Sequence, residues 1–120
     1  MKQRITVEQL NELTDKQKER LQEWWNPQSY DVACGLVSGT EYVIDVHGDT
    51  ISMLEDSEGI VPPIDKKEIL PLLSIGQMIQ LLREKHEIPF IKAGLFDWSV
   101  DGIERKELAC ALWEACKHVL

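Results

Sequence analysis

Between Arg20 and Lys66 the chain contains no lysine and no arginine. The same 45 residues carry nine acids: Glu23, Asp31, Glu41, Asp45, Asp49, Glu55, Asp56, Glu58 and Asp65. The rest of the chain sets 12 acids against 13 bases, so the formal net charge of −8 arises almost wholly in this cation-free span. An acidic balance of this kind lacks the basic footprint that nucleic acids and anionic lipid surfaces require. Neither direct nucleic-acid binding nor a membrane surface is therefore expected, and the partner expected instead is a protein with a basic surface.

Long apolar runs are missing too. No stretch approaches the roughly 18 residues that a membrane-spanning helix needs. The opening "MKQRITVEQL" has no apolar core of the kind found in a secretory signal. Cysteine is sparse, at Cys34, Cys110 and Cys116, an odd number with no CxxC spacing. That count excludes a disulfide framework and fits free thiols in a reducing cytoplasm. There is no glycine-rich phosphate loop, no G-x-S-x-G and no H-E-x-x-H, so no cofactor is expected and an enzyme is the less favoured reading.

What is present is ordinary globular material: 120 residues, 43% hydrophobic and 28% charged. Such a chain suffices for one domain, taken here as residues 1–120, with a core that needs no metal or disulfide. Thr6 with Gln9 and Thr14 with Gln17 are capping-box pairs, predicting a short helix over 7–13 and a second over 15–25. Leu10, Leu13, Leu21 and Trp24 share one stripe, so a single continuous helix is also open. Asn26-Pro27 stops it.

A three-stranded antiparallel meander should follow. In "HGDT" Gly48 opens a two-residue type II′ turn, pairing Val46 with Ile51 and Ile44 with Met53. Upstream, a three-residue loop "SGT" would pair Leu36 with Tyr42, Cys34 with Ile44 and Val32 with Val46, and so bury Cys34. Alternation then turns Asp31, Glu41, Asp45 and His47 to the other face, with Ala33, Val43 and Leu54 among them. Ser74 with Gln77 caps a helix over 75–87. "PFIKAGLFDWSVDG" has strand composition. A final amphipathic helix spans about 105–119, with Leu108, Leu112, Trp113 and Cys116 on its apolar arc. The class is thus α+β: an N-terminal helical segment, a three-stranded meander, and two further helices packed on one sheet face.

Three stretches, "LTDKQKERLQEWWNPQSYD", "ILPLLSIGQMIQLL" and "ELACALWEACKHVL", resemble a group of short, uncharacterised proteins of low-GC Gram-positive bacteria and their prophages. The shared positions are mostly helix caps and core. The resemblance carries no activity, cofactor or site residue; it implies a small binder or inhibitor of host machinery.

The candidate site is the carboxylate-rich sheet face with the loop that follows it: Asp31, Glu41, Val43, Asp45, His47, Asp49, Leu54, Glu55, Asp56 and Glu58. It would dock on a basic protein, for instance a nucleic-acid enzyme whose phosphate groove it imitates. Trp25, beside the core residue Trp24, is a candidate interface anchor. Asp31, Asp45, His47 and Asp49 form a weak metal-ligand set, its bland counterpart being a solvated sheet face. The E-x-K of Glu104 and Lys106 lacks a partner acid beyond Asp97 for nuclease chemistry. The alternative function is a small-ligand or enzymatic pocket between the C-terminal helix and the sheet, with His47 or His86 titrating.

Overall fold

Three capping boxes start three helices. The Thr6, Thr14 and Ser74 hydroxyls accept the backbone N–H of Gln9, Gln17 and Gln77, and each glutamine side chain accepts the N–H of its cap residue in return. They open α1 (Val7–Leu10), α2 (Asp15–Trp24) and α3 (Ile75–Lys85). Thr14 is extended, at φ −70° and ψ 163°, so the chain leaves the helix between α1 and α2 and the two are separate. The computed structural model describes residues 3–53, 63–85, 91–93, 97–100 and 102–120.

The class is α+β, with four α-helices and two antiparallel sheets among the described residues. The chain divides into two compact units. Thr14–Leu72 holds α2, then β1 (Val32–Gly35), β2 (Glu41–His47), β3 (Thr50–Met53), a 3-10 turn at Lys66–Glu68 and β4 (Ile69–Pro71). Its sheet runs β3-β2-β1-β4. Met1–Leu13 with Leu73–Leu120 holds α1, α3, β5 (Ile91–Ala93), β6 (Trp98–Val100), β7 (Ile103–Arg105) and α4 (Leu108–Val119). Its sheet runs β5-β6-β7.

The expected single three-stranded meander is therefore corrected twice. A fourth strand, β4, is added at the edge of the first sheet, where Pro71 faces Ala33. Proline is tolerated there because an edge strand need not donate on both sides. The other edge of β4 runs beside α2, whose Gln22 amide donates to the carbonyls of Lys66 and Ile69 at 2.9 and 3.0 Å. A second sheet arises because "WSVDGIER" folds back on itself, Val100 facing Ile103, with Gly102 at φ 88° in the turn. The helix expected from residue 105 accordingly begins at Leu108, after β7.

The hairpin around Gly48 has the expected register, Ile44 facing Met53 and Val46 facing Ile51. Gly48 has a positive φ of 63° and Asp49 does not, which is the type II′ arrangement. The β1–β2 register differs from expectation. Ala33 faces Tyr42 and Cys34 faces Glu41, a shift of three residues. The loop is Leu36–Gly39 rather than "SGT": Gly35 N–H donates to Thr40 O, and Gly39 N–H closes back on Gly35 O. Gly39 takes the left-handed conformation, φ 68°, that ends such a loop. An odd shift exchanges the faces of β1.

The core of this unit is Trp25, Ala33, Ile44, Ile51 and Ile69, with Trp24, Tyr42, Val46 and Ile64 half-buried against it. The meander's apolar face is thus lined by residues of its own unit. Helices α3 and α4 pack on each other, and α4 packs on β6 and β7. Met78, Leu81, Val100, Leu112, Trp113 and Cys116 are buried in that second unit.

Candidate functional site

Residues facing one another in an antiparallel pair share a side of the sheet. On the side of β2 and β3 away from Trp25 lie Glu41, Val43, Asp45 and His47, with Thr50 opposite His47 and Ser52 opposite Asp45. Glu41, His47 and Thr50 are exposed, as is Asp49 in the turn, and Val43 and Asp45 are half-buried. The ribbon therefore brings together five of the expected residues: Glu41, Val43, Asp45, His47 and, at its end, Asp49. Leu54, Glu55, Asp56 and Glu58, like His86, lie outside the described residues. On the same side Cys34, facing Glu41 and Leu70, is buried but belongs to this outer face rather than to the Trp25 core.

Asp31 is not part of that face. The register shift sets it opposite Ile44: Ile44 N–H donates to Asp31 O at 3.0 Å, and Tyr30 N–H to Ile44 O at 2.8 Å. Its carboxylate accepts the Trp25 indole N–H at 3.1 Å and the Gln28 backbone N–H at 3.0 Å. The expectation that Asp31 shares the outer face with Asp45 and His47 is corrected accordingly. Trp25 is itself only 2% exposed, the centre of the core, while Trp24 is half-buried. The helical stripe that paired Leu21 with Trp24 ends where the helix ends. Trp25, the C-cap, is extended at ψ 123°, and its side chain no longer follows the helical period.

Asp45 is held by two neighbours. The Ser29 hydroxyl donates to one carboxylate oxygen at 2.9 Å, and His47 Nε2 lies 2.8 Å from the other. Ser29 Oγ also accepts Val46 N–H at 2.9 Å, so it pins the 26–31 loop to β2. The hydrogen bond from Ser29 lowers the Asp45 pKa below its ordinary value; the bond and charge of His47 act in the same direction, against a smaller rise from desolvation. Among the described residues no lysine or arginine forms an ion pair with Glu41, Asp45 or Asp49; the ionic partner on this face is His47.

Two surface features went unread in the sequence. Tyr30 is 73% exposed and has φ 74°, a left-handed backbone that costs a tyrosine about 1 kcal/mol. Ser29 and Asp31, both tied into the sheet, hold it there, next to the Asp45–His47 pair. The signal was "NPQSYD", an aromatic between two residues that hydrogen-bond their own surroundings. The second feature is the β1–β2 loop, where Val37 is 103% exposed and Leu36 44%.

Among the described residues no group of three or more His, Cys, Asp or Glu side chains is placed to hold a metal ion. Asp31 is committed to Trp25, which separates it from the other members of the weak metal set. All three cysteines are free thiols. Burial pushes the Cys116 thiol up to about 12, and burial followed by the Glu41 charge raises Cys34. Both are therefore poor nucleophiles. The apolar side of α4 is filled by its packing on α3, β6 and β7. No helix among the described residues is long and apolar enough to cross a membrane.

Comparison of the chain with protein-family models, with curated proteins and with solved structures gives no match.

Proposed function

We propose that this protein is a non-enzymatic cytoplasmic binder that docks the outer face of the β2–β3 ribbon on a basic protein surface. The observation that carries this reading is the ribbon's acidic charge: Glu41, Asp45 and Asp49 lie along one ribbon, with no lysine or arginine ion-paired to them among the described residues and only His47 beside Asp45. Complementary potential accelerates encounter and rejects partners of the wrong sign. Val43 and the exposed ring of Tyr30 supply apolar contact beside it, and aromatic side chains are favoured anchors at interfaces.

A narrower form of the reading is an inhibitor that imitates nucleic acid. Glu41 and Asp45 stand four residues apart, about 13 Å along a strand, with Val43 between them. A phosphate-like row would place acids at successive outward positions, so the argument rests on net charge and not on spacing.

The test is affinity capture from a cell lysate at low and high salt, comparing wild type with Glu41→Lys/Asp49→Lys. Both positions are exposed, and neither substitution disturbs the Ser29–Asp45 bond. Salt and substitution should each release the same identified protein, since exposed charges are screened within a Debye length. Identical capture by both forms at both ionic strengths removes the proposal.

A further inference from the structure

The β1–β2 loop is well formed and presents aliphatic side chains to water. Gly35 N–H donates to Thr40 O at 3.1 Å, Gly39 N–H to Gly35 O at 2.9 Å, Thr40 N–H to Ser38 Oγ at 3.2 Å and Leu36 N–H to Glu68 O at 2.9 Å. Loop tips usually carry Gly, Asn, Asp or Ser, because polar turn residues satisfy their own backbone. Here Ser38 and Gly39 fill that role, and the tip also carries Leu36 and Val37, exposed by 44% and 103%. Beside the tip lies a mostly apolar cleft of about 400 Å³, lined by Leu36, Val37, Tyr42, Lys67 and Glu68 among others.

We propose that this tip is a self-association surface on which a second copy of the chain docks by two-fold symmetry. A two-fold interface must be complementary to itself, so the same patch has to supply both the protruding group and its receptor. Val37 is the protrusion and the adjoining cleft is the receptor. The charges on the rim satisfy the same condition. Lys67 and Glu68 are exposed neighbours of opposite sign, so each copy sets its ammonium against the other's carboxylate. A foreign basic partner would meet Lys67 unfavourably, whereas a second copy does not. This inference is independent of the ribbon reading and differs in its salt dependence. Two copies of formal charge −8 repel each other, so added salt strengthens the dimer where it would weaken docking on a basic partner.

Sedimentation equilibrium of the full chain, from about 10 to about 500 µM and at about 50 and 500 mM salt, tests this. The expected result is a concentration-dependent dimer that tightens with salt. Val37→Asp should raise its dissociation constant at least about tenfold, with circular dichroism and thermal midpoint of the monomer unchanged. Lys67→Glu should weaken it, and the exchanged pair Lys67→Glu/Glu68→Lys should restore it. Asp49→Lys, at the other hairpin, should not weaken it. A monomer throughout, a dimer indifferent to Val37→Asp, or an exchanged pair that restores nothing overturns the proposal.

Discussion

The indole N–H of Trp25 donates to the carboxylate of Asp31 at 3.1 Å, across six residues of chain that include Pro27. This bond closes the turn from α2 into β1 and satisfies the polar atom of a ring that is otherwise sunk in the core. Asp31→Ala should destabilise the fold by about 1–3 kcal/mol, the range for a charged acceptor removed from a buried donor. Asp31→Asn, which keeps an acceptor, should lose less. Urea denaturation followed by tryptophan fluorescence measures both.

The cysteines should react in a fixed order. Cys110 is half-exposed, whereas Cys34 and Cys116 are buried with raised thiol pKa values. Alkylation of the native protein, followed by peptide mass spectrometry, should label Cys110 alone. Cys34 and Cys116 should be labelled only in denaturant. Fast labelling of Cys34 in native buffer would show that β1 leaves this thiol open to solvent, against its burial here.

Asp45 sets an acid limb of stability. Its folded pKa is depressed below the ordinary 3.8, first by the Ser29 hydroxyl and then by His47. A depressed carboxylate stabilises the folded state above its unfolded pKa, and that contribution disappears as pH falls below 3.8 and through the folded value. Ser29→Ala removes the largest cause. The urea midpoint of the variant should therefore fall less steeply than that of wild type between about pH 5 and about pH 2. Equal slopes would mean that the hydroxyl does not hold the carboxylate.

Gly35 is required by a close approach. A Cβ built there would lie 2.5 Å from Ser38 Oγ, the hydroxyl that accepts Thr40 N–H. Gly35→Ala should push the hydroxyl aside and cost on the order of 1 kcal/mol, mostly the lost loop hydrogen bond. In a Ser38→Ala background the same substitution should cost nearly nothing. A double-mutant cycle in chemical denaturation gives the coupling directly.

The parts of the fold that were legible in the sequence are those decided within a few residues. Each capping box is a pair three residues apart, and all three helices begin where the pair sits. The Gly48 hairpin needs a two-residue turn and the alternation on either side of it, so its register was readable. A similar signal stood at Asp-Gly 101–102 between "WSV" and "IER", where strand composition left a strand or a short hairpin open; β6 and β7 form the hairpin. Of the candidate site, the members carried by the Gly48 ribbon are together on one face: Glu41, Val43, Asp45, His47 and Asp49. Asp31 is not, because its position depended on the β1–β2 loop, expected as the three residues "SGT" and found as the four residues Leu36–Gly39.

By itself the sequence determined the α+β class, the starts of the three capped helices, the pairing of β2 with β3 and the cation-free span. Each of these is fixed by local hydrogen bonds, by side-chain alternation or by composition alone. Only the tertiary structure decided which face of β1 meets Trp25. The choice between a three- and a four-residue loop is nearly neutral locally, and it is settled by β4 pairing with Ala33 and Cys34 and by the core accepting Ala33 beside Ile44. That one decision turned Asp31 inward as the partner of Trp25, and it set Leu36 and Val37 at an exposed tip.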